Sequence, residues 1–132
     1  GAVRALEEIS NRLSRIHNVA VTAVVEGCAD ALSEKDVLAL CRIVQEAVAN
    51  SARHGHAAAV EVKLSCGDGY RLTIADDGSG IDREFDPEVL RVQGHRGIAS
   101  MTERAALIGA SFSIRPRPEG GTLITVDIPA AR

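Results

Sequence analysis

The chemistry this sequence can offer is concentrated in three short stretches. In the first, Glu46, Asn50 and Arg53 recur at i, i+4 and i+7, and at about 100° per residue they share one helix face with Arg42. Val37, Cys41, Val44 and Val48 fall opposite, so one face is expected to pack while the other holds an acid, an amide and cations. A carboxylate beside an amide oxygen and a guanidinium suits a hydrated magnesium ion carrying phosphates, because magnesium prefers oxygen ligands and polyphosphate needs positive charge. A solvated helix face has the same composition. The second stretch is Asp76-Asp77-Gly78-Ser79-Gly80. Asp and Gly are the usual turn residues, yet glycines also let a ligand approach the backbone, and a fixed Asp can accept hydrogen bonds from an amine. The third, Gly94-His95-Arg96-Gly97, precedes a helical pattern, and backbone N–H groups at a helix start form an anion site suited to phosphate. A loop closed by glycines reads the same way.

Regular elements must hold these stretches in place. Val3, Leu6, Ile9, Leu13 and Ile16 predict an amphipathic helix over 2–16. The β-branched run 19–25 predicts a strand ended by Glu26-Gly27, with His17, a surface histidine, and Asn18 in the connection before it. Ser33 and Asp36 resemble a capping box opening the polar-striped helix, which runs to about Arg53 and is stopped by Gly55. Val60, Val62 and Leu64, then Tyr70, Leu72 and Ile74, alternate on either side of Gly67-Asp68-Gly69, which predicts a hairpin with one face in the core. Residues 82–96 contain Pro87, four acidic side chains and few apolar anchors, and read as a lid with at most a short helix at 86–92. Ile98, Met101, Ala105 and Ile108 mark a helix over 97–107 capped by Gly109, and two final strands carry Phe112, Ile114, Ile124, Val126 and Ile128. Helix, strand, long helix, hairpin, lid, helix and hairpin fit an α+β two-layer sandwich, a mixed five-stranded sheet with three helices on one face.

Composition narrows the classes. The 132 residues make one domain with a real core, and a net charge of −3 without a basic stripe argues against nucleic acid and anionic membranes as partners. No apolar run approaches the roughly 18 residues of a membrane span, and the start has no signal-peptide pattern. Cys28, Cys41 and Cys66 are odd in number and far apart, which suggests neither a disulfide framework nor a metal site and fits a reducing cytoplasm. With one Tyr and two Phe, aromatic stacking is a poor mode of ligand binding here.

E-x-x-x-N-x-x-R-H at 46–54, D-D-G-S-G at 76–80, G-H-R-G-I-x-x-M-x-E-R-A at 94–105 and G-G-T at 120–122 together resemble the ATP-binding domain of two-component sensor histidine kinases, of the gyrase, heat-shock chaperone and mismatch-repair ATPase superfamily. Each box is weak, but four in order at ordinary spacing are strong, and the likeness spans essentially the whole chain. The short lid and the M-T-E-R-A-A-L-I-G-A run look like kinases that pair with NarL-type response regulators. The resemblance implies a Bergerat-type ATP-binding fold, ATP and magnesium as cofactors, and phosphoryl transfer from ATP to a histidine on a separate dimerisation domain. It implies that Asn50 ligates magnesium and that Glu46 polarises a water or the attacking group. Arg53 stands where the family often has Lys or Arg near the phosphates, and His54 where it has polar or aromatic residues. Asp76 would accept the adenine amino group, Gly78 and Gly80 would shape the pocket, and Thr122 would reach the adenine through water. Gly94 and Gly97 would bracket the lid, with His95, Arg96 and Ile98 among the nucleotide-binding residues at the start of the following helix.

The departures are Asp77, where Asn is frequent, which adds a negative charge near the nucleotide, and Ser100, where relatives often have Gly. The phosphoacceptor histidine with its acidic neighbour is not matched by His17, His54, His56 or His95, so the chain is expected to be the catalytic fragment of a longer kinase working in the cytoplasm. Two alternatives share parts of the pattern: an anti-sigma factor kinase acting on a serine, against which the G-H-x-G-I-x-x-M-x-E-R-A run argues, and a nucleotide-binding module without catalysis.

Overall fold

The computed structural model describes residues 1–27, 31–79 and 96–132. Among the described residues the chain forms α1 (Ala2–His17), β1 (Ala20–Glu26), α2 (Glu34–Arg53), β2 (Ala59–Gly67), β3 (Gly69–Asp76), α3 (Arg96–Leu107), β4 (Ser111–Pro116) and β5 (Thr122–Ile128). The five strands make one sheet in the order β1-β2-β3-β5-β4. β1 and β2 run parallel, with α2 as the crossover that parallel strands require, and every other neighbouring pair is antiparallel. This is the expected open α+β sandwich: a mixed five-stranded sheet with three helices.

Alternation fixes which face of the sheet is covered. Val60, Val62 and Leu64 of β2, Leu72 and Ile74 of β3, and Ile124, Val126 and Ile128 of β5 are all buried, while their neighbours point to the other face. α2 lays Leu40, Ile43, Val44, Ala47 and Val48 into this core, a 3.6-residue stripe in which each large side chain contributes about 1.5–3 kcal/mol of burial. The buried stripe is turned relative to the expected Val37, Cys41, Val44 and Val48: Val37 and Cys41 are only half-buried, because α2 packs against α1 on its flank as well as on the sheet. Burial pushes the Cys41 thiol pKa up, and Arg12 of α1 opposes it in part.

The ends of the helices hold the other differences. In α1 the buried residues are Ala2, Leu6, Ile9, Ser10 and Leu13, whereas Val3 and Ile16 are 44% and 64% exposed. The 3.6-residue repeat drifts off a spacing of three at both ends. His17 is the last helical residue, and Asn18 ends α1 in the left-handed conformation. α2 opens on the capping box, with Ser33 Oγ accepting from Asp36 N at 3.1 Å and Asp36 accepting from Ser33 N at 3.0 Å. It closes on Asn50 O, which accepts from the amides of His54 and Gly55, and the left-handed residue is His56 (φ 52) rather than Gly55. Asp36 also receives a paired hydrogen bond from Arg132 at 2.7 and 3.0 Å, and Arg132 donates to Ile108 O at 2.9 Å, tying the start of α2 to the end of α3. The guanidinium holds the Asp36 pKa down to about 2.

Candidate functional site

The polar stripe of α2 faces the first turn of α3. Glu46 and Asn50 are half-buried, and Gly97, the second residue of α3, lies directly on them. A Cβ at Gly97 would stand 2.9 Å from Glu46 Cδ and 3.0 Å from Asn50 Nδ2, and closer still to Glu46 Oε1. Glycine lets the start of α3 come this near without moving the ends of the Glu46 and Asn50 side chains. Ile98, buried, anchors the helix beneath it. The arrangement brings an acid, an amide and the N-terminus of a helix together, a combination suited to phosphate oxygens and a hard cation. No group of three or more His, Cys, Asp or Glu side chains is placed to hold a metal among the described residues. Magnesium takes oxygen ligands and keeps several waters beside substrate phosphates, however, so the Glu46 carboxylate and the Asn50 amide oxygen fit that ion.

Asp76 is the last residue of β3 and is buried, at 7% exposure. Its Oδ2 accepts from Ser51 Oγ at 2.7 Å, and its Oδ1 accepts from Gly78 N at 2.9 Å and Thr122 N at 3.2 Å. These donors offset the cost of burying the carboxylate and fix its direction. Ser51 is a partner of Asp76 that the sequence pattern did not single out. The signal was present: it follows Asn50, yet continues the buried stripe of Leu40, Val44 and Val48, where a hydroxyl must find an acceptor.

Asp77 is turned elsewhere. Its Oδ1 accepts from the amides of Ala58 and Ala59 at 2.8 and 2.9 Å, which lowers its pKa, so its charge is held at the start of β2. Gly78 sits between Asp76 and the α2–β2 connection, and Ser79 N donates to Gly55 O at 2.8 Å. Arg53 and His54 end α2 and are exposed, and Arg96 is the first residue of α3. Gly80, Gly94 and His95, with most of the expected lid at 82–96, lie outside the described residues. A depression of about 580 Å³ at the other end of β3, lined by Cys66, Tyr70, Arg71 and Asp127 among others, contains none of these groups.

A buried, three-donor carboxylate at a strand end, set on the same sheet as a polar helix stripe, belongs to the class of nucleotide-binding α+β sandwiches that the sequence boxes resemble. The family model described as histidine kinase-, DNA gyrase B-, and HSP90-like ATPase matches residues 35–132, and the chain belongs to that family. Among curated relatives it is 29% identical over 100 residues to the sensor protein NarQ homolog of Haemophilus influenzae, covering 74% of this chain and 17% of that protein. It is 38% identical over 91 residues to the sensor protein VraS of Staphylococcus aureus, covering 68% of this chain and 25% of that protein. The chain thus spans a quarter or less of the length of these relatives. Among solved structures, the ATP binding domain of PrrB from Mycobacterium tuberculosis shares the fold with a TM-score of 0.77 at 22% identity, over 98% of this chain and 94% of that one. Full-length ShkA in complex with AMPPNP aligns with a TM-score of 0.74 at 20% identity, over 98% of this chain and 29% of that one.

Proposed function

We propose that this chain is the ATP-binding catalytic domain of a longer sensor histidine kinase, binding Mg-ATP and donating the γ-phosphoryl group to a histidine on a separate dimerisation domain. The observation that carries the reading is Asp76, a buried carboxylate aimed by Ser51, Gly78 and Thr122 at the end of β3. A carboxylate so held accepts from the exocyclic amine of adenine and rejects guanine, whose carbonyl would face it with no proton between the two acceptors. Gly78 and Gly80 shape the pocket around the base, and Thr122 completes it. Asn50 offers an oxygen to magnesium, which when bound supplies charge neutralisation on the phosphates. Glu46 polarises the attacking group. Arg53, His54 and the amides at the start of α3, with Gly94, His95, Arg96, Gly97 and Ile98, hold the triphosphate.

The M-T-E-R-A-A-L-I-G-A run supports the partner class: the phosphoryl group passes onward to a NarL-type response regulator. The domain works in the cytoplasm and touches neither nucleic acid nor membrane. Calorimetric titration with Mg-ATP or Mg-ADP tests the reading, with micromolar or weaker binding expected, roughly −8 kcal/mol or less in magnitude. Absence of binding at millimolar ATP with magnesium present overturns it. Given radiolabelled ATP, the chain should label a histidine-bearing dimerisation domain and show little transfer without it.

A further inference from the structure

The turn between β4 and β5 closes on Asp76 from outside the sheet. The β3–β5 register runs from Tyr70–Ile128 to Ala75–Leu123 and stops one pair short of Asp76. Beyond that point Thr122 N turns to the Asp76 side chain, and the Asp76 main-chain carbonyl is taken by Arg117, whose Nη1 donates to it at 2.6 Å. Arg117 is itself held by Glu119, with Nε and Nη2 at 3.1 and 2.9 Å from the carboxylate. Its amide donates to Gly121 O at 3.0 Å, and Gly120 N donates back to Arg117 O at 3.0 Å. Gly121, at φ 92, lies so close that a Cβ there would meet the Asp76 carbonyl. The loop therefore grips both the main chain and the side chain of one residue.

We infer that Arg117 is a positioning residue for nucleobase selection, fixing the peptide of Asp76, and through it the direction of the carboxylate, from the β4–β5 loop. The inference rests on the adenine-reading role proposed for Asp76. Thr122 N, one of the three donors to the carboxylate, and Gly121, packed on the Asp76 main-chain carbonyl, are carried by the same turn, so release of the guanidinium loosens both. Arg117 also lies near Asp77, and its charge helps to lower that carboxyl's pKa. One cation thus faces the Asp76 carbonyl, Asp77 and Glu119.

The test titrates the unaltered chain, Arg117→Met and Arg117→Lys with Mg-ATP and Mg-GTP, alongside thermal melts without nucleotide. Arg117→Met keeps an apolar stem of similar length and removes the planar donor. It should weaken ATP binding about tenfold, the scale of one charged hydrogen bond, leave GTP binding within about twofold, and so narrow the preference for ATP. Arg117→Lys, which keeps a donor and the charge, should recover most of the loss. Unchanged ATP affinity and preference in Arg117→Met overturn the inference. So does an equal fall for both nucleotides accompanied by a lower melt, which would make Arg117 a fold contact only. If the unaltered chain binds no ATP, the adenine role of Asp76 fails and takes this inference with it.

Discussion

Ser51→Ala is the sharpest probe of the site, because it removes one donor and leaves the helix. The Ser51 Oγ to Asp76 Oδ2 bond is 2.7 Å long and buried, and Asp76 Oδ1 keeps its bonds from Gly78 N and Thr122 N. A hydrogen bond to a charged group contributes about 1.5–3 kcal/mol, and Ala regains about 0.5 kcal/mol over Ser in helix propensity. The net loss is about 1–2.5 kcal/mol, or roughly 4–10 °C in melting temperature for a domain of this size. Urea unfolding should show a lower midpoint with an unchanged slope, since the surface exposed on unfolding is the same. Calorimetry should show ATP binding about tenfold weaker, because Oδ2 is no longer aimed. A variant that melts and binds ATP as the unaltered chain does would refute the argument that Ser51 orients the carboxylate.

Asn50→Ala should leave the buried stripe of Leu40, Ile43, Val44, Ala47 and Val48 intact, so the nucleotide-free melt stays within several degrees while magnesium-dependent binding falls; a larger drop in the melt would mark Asn50 as structural. Gly97→Ala puts a methyl group against Glu46 and Asn50 and should lower ATP affinity by an order of magnitude or more, read by the same titration; unaltered affinity would show that the start of α3 lies outside the nucleotide site. The Arg132–Asp36 pair predicts a pH signature. The folded pKa of Asp36, about 2, lies below its unfolded value of 3.8, so its contribution is full above about pH 4 and lost as pH falls toward 2. Arg132→Met should therefore be less stable by about 1–2 kcal/mol at pH 7, discounted for a partly exposed guanidinium, with the gap to the unaltered chain closing below pH 2; a gap that persists there would assign the effect to packing.

Periodicity made the fold legible, and its failures are local. The sheet alternation in β2, β3 and β5 placed the buried apolar residues, with Tyr70 of that set only half-buried, because a strand buried on one face leaves little freedom in a two-residue repeat. A helix stripe is less constrained. Val37 and Cys41 share the apolar arc of α2, but how far each is buried depends on where α1 lies, and that is a tertiary fact. Val3 and Ile16 failed because the 3.6-residue repeat drifts off a spacing of three, so that Ala2 rather than Val3 is buried at the start of α1 and the buried stripe ends at Leu13. Gly55 invited the left-handed position by its residue type, yet the bonds from His54 and Gly55 to Asn50 O and from Ala57 to Ser51 O place that turn at His56.

The site was legible where residue type alone limits the chemistry, and hidden where a common residue acquires its role from a distant partner. Glu46 and Asn50 share a face by sequence spacing, and Gly97 is conspicuous before a helix, but their mutual contact depends on α3 returning antiparallel beside α2, which no local pattern encodes. Asp76 and Asp77 are adjacent and chemically identical in the sequence. What separates them is the pleat: Asp76 continues the inward set of Leu72 and Ile74 and is buried, while Asp77 points outward to the amides of Ala58 and Ala59. Ser51, 25 positions from Asp76, and Arg117, 41 positions away, complete the carboxylate's setting only because the sheet order β2-β3-β5-β4 and the packing of α2 bring them to one strand end. The boxes name the groups proposed to meet a ligand; the residues that hold those groups are dispersed, and their substitution tests the geometry more directly than substitution of the boxes.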